Sequence, residues 1–208
     1  MMRESLKLAV MILFHPIAAF EYMKRKRETL SGLMIPAVIF LAAAVQIFSI
    51  YVTHYPLSTV NLRNANVVFE CAKILLPVVT WGVASYAMTT ILDGETKFSE
   101  AMLATCYAMI PFLLISPLLT LFSRILDLGQ SGLYYGMYGA MLFWIIALLL
   151  TALKEMNHYS VGKTAVVTFL SLFTMMLIWA SVALLFSLSM QFITFVKEVI
   201  VEARYLFS

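Results

Sequence analysis

Five ionisable side chains gather in two short polar turns of the sequence. Asp93, Glu95 and Glu100 belong to one turn, Glu155 and His158 to the other. Carboxylates beside a neutral imidazole can ligate a divalent metal or handle protons, provided that folding brings the two turns together and several of these groups converge. The plainer account, which this reading prefers, is that the two turns carry charge because they are wet. Elsewhere the chain offers little chemistry. It contains no HExxH, GxSxG, Walker A or CxxC pattern, so the usual short signatures of zinc hydrolysis, serine hydrolysis, nucleotide hydrolysis and dithiol exchange are missing. His15, His54 and His158 fall in three separate segments. The expectation is a protein that is not an enzyme and takes no cofactor.

The elements that must position these turns follow from composition. Of the 208 residues, 62% are hydrophobic and only 12% charged, with a mean hydropathy of +0.94. A water-soluble domain of this size could not hide so much apolar surface, because much of its area must stay wet. The expected fold is therefore all-α and polytopic. Residues 1–208 form a single membrane domain with five transmembrane helices, over residues 33–53, 70–92, 101–122, 136–153 and 164–189.

Residues 1–28 are expected to form an interfacial N-terminal helix. The uncharged stretch from Leu8 to Phe20 is too short to cross the bilayer, and Pro16 should bend or interrupt it. Lys24, Arg25, Lys26 and Arg27 then reach lipid headgroups; a re-entrant hairpin is the alternative. Membrane lipids are thus expected partners. Nucleic acid is not, since no soluble domain is present to shape such a site. Residues 191–208 read as an amphipathic C-terminal helix, with Gln191, Thr194, Glu198 and Glu202 at helical spacing opposite Phe192, Phe195 and Val199. That helix either extends the last span or lies on the surface. Cys71 and Cys106 fall near opposite faces of the membrane, so no disulfide is expected.

Inside the spans, a few positions stand out. Gln46 is the most polar group of the first span and should face the bundle, where another helix can meet its amide. Pro111 and Pro117 should kink or break the third span. Tyr107, four residues before Pro111, either satisfies backbone freed near the kink or offers its hydroxyl to a ligand; the structural account is preferred. Gly132 and Gly136, with Gly139 beyond them, make a small-residue ridge that admits a second helix, or else a flexible entry to the fourth span. Ionisable groups cluster at helix ends, which argues against proton-driven transport. A small channel or facilitator for a neutral solute or lipid remains the alternative function, with Gln46, Thr80, Ser85, Thr89, Thr105 and Tyr107 lining its cavity.

Nine of the 14 lysines and arginines fall on the side that holds the N-terminus. This bias places the N-terminus in the cytoplasm and the C-terminus outside.

Gly94 and Phe98 in the central turn, followed by Tyr107 and Pro111, resemble the core of the Yip1-domain membrane proteins. FHPIAAFEYMKRKR, from Phe14 to Arg27, is similar to the opening of the bacterial branch, and YSVGK, from Tyr159 to Lys163, to the segment that introduces its last helix. The resemblance implies a five-helix membrane domain in a bacterial cell membrane and an accessory or scaffold role beside another membrane protein. Some bacterial relatives are encoded beside ABC transporters, so such a transporter is the partner it implies. The longer cytosolic region of eukaryotic members is not expected here, and their link to small GTPases and vesicle traffic is not carried over.

Overall fold

Five helical stretches of the computed structural model are long and apolar enough to cross a membrane: Met34–Val52, Val67–Ile91, Phe98–Phe122, Ser131–Asn157 and Val161–Glu202. The structure describes residues 2–26, 32, 34–53 and 66–206. In chain order the helices are α1 (Met2–Phe14), α2 (Pro16–Arg25), α3 (Met34–Val52), α4 (Val67–Ile91), α5 (Phe98–Ala108), α6 (Ile110–Phe122), α7 (Ser131–Asn157) and α8 (Val161–Leu206). A single 3-10 turn, Leu128–Gln130, precedes α7. The fold is all-α, with five apolar helices of spanning length, two further helices at the N-terminal end and a last span that continues as helix through the C-terminal tail.

The third span is the hub. Within its apolar window 72% is buried inside the bundle, whereas for the last helix the share is 6%. It is broken where the prolines require. Pro111 has no amide hydrogen and its ring excludes the preceding turn. The backbone therefore stops at Met109 and restarts as α6, with Pro111 in the first turn, where a missing donor costs nothing. Pro77 and Pro117 stay inside α4 and α6. Near Pro77, the Thr80 hydroxyl donates to Leu76 O at 2.7 Å.

The N-terminal segment is likewise split at a proline, α1 ending at Phe14 and α2 starting at Pro16. Its apolar face is turned into protein. Leu8, Ile12, Ala19, Phe20 and Met23 are each at most 1% exposed and share a core with Leu103, Tyr107 and Ile110 of the third span and Leu148 of α7. Lipid is as apolar as leucine, so such faces are held by close packing more than by the hydrophobic effect.

Hydroxyl groups tie the first and third spans together at the opposite end. Thr120 Oγ1 donates to Ser116 O at 2.9 Å and lies 3.1 Å from Ser49 Oγ. Arg124 Nε donates to Val52 O at 3.2 Å. The helix starts are capped in ordinary ways: Asn66 accepts from Phe69 N on α4, and Glu100 accepts from Lys97 N on α5.

The tail does not lie on the surface. α8 runs unbroken for 46 residues, which corresponds to about 69 Å of helix.

Candidate functional site

The two polar turns do meet, at the end of the bundle shared by α4, α5, α7 and α8. The residues that join them are amides and hydroxyls, and the ionisable five stand around the joint. Asn157, the last residue of α7, accepts through Oδ1 from Thr96 Oγ1 at 2.9 Å and from Thr96 N at 3.3 Å. Its Nδ2 donates back to Leu153 O at 3.0 Å. Tyr159 donates from its hydroxyl to Leu92 O at 3.0 Å, with Thr89 O at 3.4 Å. The bonds to Thr96, Leu92 and Thr89 link stretches of chain more than 60 residues apart.

Close approach at the joint requires glycine at position 94. A Cβ there would lie 2.7 Å from Asn157 Oδ1 and 2.8 Å from Thr89 O, well inside van der Waals contact. Both turns also use a left-handed residue that is not glycine. Asp93 has φ 55° and His158 has φ 52°, a region that Asp and His enter more readily than most side chains. His158 thereby closes α7, and Tyr159 N bonds Lys154 O at 3.0 Å.

The five candidate ligands are thus placed for other tasks. Asp93 and His158 shape the turns. Glu95 pairs with Lys24 at 2.6 Å, Glu100 caps α5, and Glu155 pairs with Lys154 at 2.7 Å. Among the described residues, no three His, Cys, Asp or Glu side chains are grouped so as to hold a metal ion.

Lys24, the first of the four cations expected at lipid headgroups, is paired with Glu95 within the protein. It is 9% exposed, and its ammonium straps α2 to the central turn. Arg25 and Lys26 stay exposed; Arg25 pairs with Glu21 at 2.5 Å, and Lys26 stands 5.0 Å from the Tyr22 ring centre. Arg27 lies outside the described residues.

Just inside the joint is a cavity of about 20 Å³, lined by Trp81, Ser85, Thr89, Thr96, Thr105 and Asn157 among others. It has room for roughly one water molecule. Ser85, Thr89 and Thr105 donate to carbonyls of their own helices, Gly82 O, Tyr86 O and Ala101 O, so their free lone pairs make the cavity a hydrogen-bond acceptor. Three of the positions expected to line a solute route are therefore together. Gln46 and Tyr107 are not among them. Gln46 is half-buried on the α3 stripe of Val38, Ala42 and Ile50. Tyr107 is 1% exposed in the core formed with the N-terminal helices, next to the break at Met109. Gly132, Gly136 and Gly139 face open space, with nothing within 4 Å of an added Cβ.

Burial raises the Tyr159 phenol above its ordinary pKa, and the neighbouring Asp93 carboxylate adds to that. Lys163 sits 4.5 Å above the same ring, and Ser160 Oγ accepts from Lys163 N at the start of α8. The stretch from Tyr159 to Lys163 therefore anchors, caps and starts the last helix. On the other side of the joint, Phe98 meets Tyr86 edge-on at 5.3 Å.

These are the segments through which the sequence resembles a known family, and the Yip1 domain matches residues 10–183. The chain belongs to the Yip1 family. As a Yip1-family member with five helices long and apolar enough to span a bilayer, it is a multi-pass membrane protein. Comparison with curated proteins and with solved structures gave no match. Within the Yip1 fold, Asn157 and Thr96 are the joint residues that sequence reasoning passed over. Their one signal was an uncharged amide immediately before a left-handed helix end.

Proposed function

We propose that this Yip1-family protein is an accessory or scaffold subunit that assembles with another membrane protein, an ABC transporter being the partner its bacterial resemblance favours. The observation that carries this reading is the open glycine face of α7. Gly132, Gly136 and Gly139 are exposed and nothing lies within 4 Å of their side-chain positions, so the backbone there admits a foreign helix at close range. The joint and the Lys24 strap supply a stiff frame behind that face. In this reading the protein lies in a bacterial cell membrane with its N-terminus cytoplasmic and its C-terminus extracytoplasmic, as the lysine and arginine bias indicates.

The test is affinity purification of the full chain from native membranes in mild detergent, followed by mass spectrometry. The expected result is a membrane-protein partner at fixed stoichiometry that is lost on Gly136→Leu, while the variant remains folded and monodisperse. Partner-free protein from native membranes, or selective solute flux through liposomes holding this protein alone, overturns the proposal.

A further inference from the structure

The match to the Yip1 domain ends at Ala183, but α8 does not. Every residue from Ser181 to Glu202 is exposed. The helix packs on its own bundle through α4 and α7 before that point, and the last hydrogen bond to the bundle among the described residues joins Trp179 Nε1 to Thr80 Oγ1 at 3.3 Å. Thr80 lies midway along α4, so α8 leaves its neighbours near the middle of the membrane. Counting from there along the axis, Ser187 stands about 12 Å and Gln191 about 18 Å further out, against a hydrocarbon half-thickness of about 15 Å.

Most of this free helix is bulky and apolar, including Leu185, Phe186, Phe192 and Phe195; hydrocarbon covers the first two without cost, and the last two stand at the headgroup layer. One face differs. Ser187, Gln191, Thr194 and Glu198 follow one another at spacings of four, three and four, the alternation of a helix–helix seam. Ser187 falls within the hydrocarbon, where a polar side chain is turned toward another helix rather than toward lipid, and the row continues from it through Gln191, Thr194 and Glu198 into the headgroup layer.

We propose that this face is the contact of a parallel homodimer, in which the α8 helices of two copies meet about a two-fold axis along the membrane normal. Two copies inserted with the same topology present α8 in parallel, so each seam residue meets itself. The Gln191 amide carries both donor and acceptor and bonds its own counterpart, and one such amide in a seam fixes two strands in register. The flanking charges fit the same geometry. With Leu184, Gln191 and Glu198 at one core position of the repeat and Ser187 and Thr194 at the other, Lys197 and Glu202 occupy the pair of edge positions, five residues apart, that join across a parallel dimer. Lys197 of each copy then faces Glu202 of the other, and neither has an ion-pair partner among the described residues. Glu198 reaches the axis at headgroup level, beside the Lys197 ammonium groups.

The experiment uses the full chain in lipid vesicles. Single cysteines at Ser187, Gln191 or Thr194 are oxidised and compared with cysteines on the opposite face at Ser189 and Val196, after subtracting any cross-linking through Cys71 and Cys106. Seam positions are expected to cross-link to a second copy, and opposite positions not. Lys197→Glu is expected to weaken dimerisation roughly tenfold, and Lys197→Glu with Glu202→Lys to restore it. Equal cross-linking from both faces, no cross-linking, a different protein captured, or a charge swap that fails to restore the dimer would each overturn the proposal. None of these substitutions touches the α7 glycine face, so failure here and failure of the accessory role are separable.

Discussion

The joint at one end of the bundle and the free half of α8 at the other solve opposite problems. At the joint, polar atoms find one another within the chain. Asn157 serves Thr96, Tyr159 serves Leu92, and Lys24 serves Glu95. Along α8 beyond Trp179, no contact of that kind returns to the bundle among the described residues. In lipid, apolar contact alone does not choose between neighbours, so the polar contacts specify the arrangement. A region that completes its own is specified from within. A region that carries polar groups in a regular row without completing them is specified by what it meets.

The contrast can be broken most forcefully at Gly94. Gly94→Ala drives a methyl group into Asn157 and the Thr89 backbone and is expected to cost about 2–3 kcal/mol, read as a fall in Tm in detergent or lipid. Gly82 is the control, since there the atom most in the way is the flexible Met102 thioether, and its alanine variant should lose far less. Next comes Asn157→Leu. Removing the acceptor of both Thr96 donors should cost about 1–2 kcal/mol, and hydrogen exchange at the Thr96 amide should accelerate.

A smaller effect is expected from Tyr159→Phe, which deletes the bond to Leu92 O at a cost of about 1 kcal/mol. Its pH dependence sharpens the assignment. The folded protein holds the Tyr159 phenol above its ordinary pKa, so it favours the protonated form. That contribution is fully present below the ordinary tyrosine value of about 10 and is lost as pH rises through the raised folded value. Unfolding followed across this alkaline window should show a decline that is shallower in the phenylalanine variant. The smallest change in stability belongs to Gly136→Leu, where open space receives the side chain. Its unfolding free energy should stay within about 0.5 kcal/mol of the parent's, while binding to a partner helix disappears.

How much of this was legible in the sequence depended on the kind of signal. Long uncharged runs, such as the one after Lys163, announce helices directly because a bilayer demands them. Pro111 announced the break at Met109 because a missing amide hydrogen cannot be hidden in a helix. The site was harder to see. Charge drew attention to Asp93 and His158, yet their φ angles, unreadable from composition, are what the fold uses. Lys24 looked like a member of a basic run, and only packing separates it from Arg25 one residue later. Asn157 and Thr96 carry no charge and join across more than 60 residues, a distance over which residue spacing in the sequence says nothing.

The Lys24 strap also sets an order of assembly during synthesis. Its partner Glu95 lies 71 residues further along the chain, which a ribosome needs roughly 4–14 s to add. Through that interval α1 and α2 have emerged but cannot be fastened. Their apolar face must wait longer still, because Leu148, Ala152 and Met156, against which it is buried, arrive with α7. Helices α1 and α2, made before the elements they pack against, therefore reach their final place only once α7 is made, and until then the membrane surface itself must hold them.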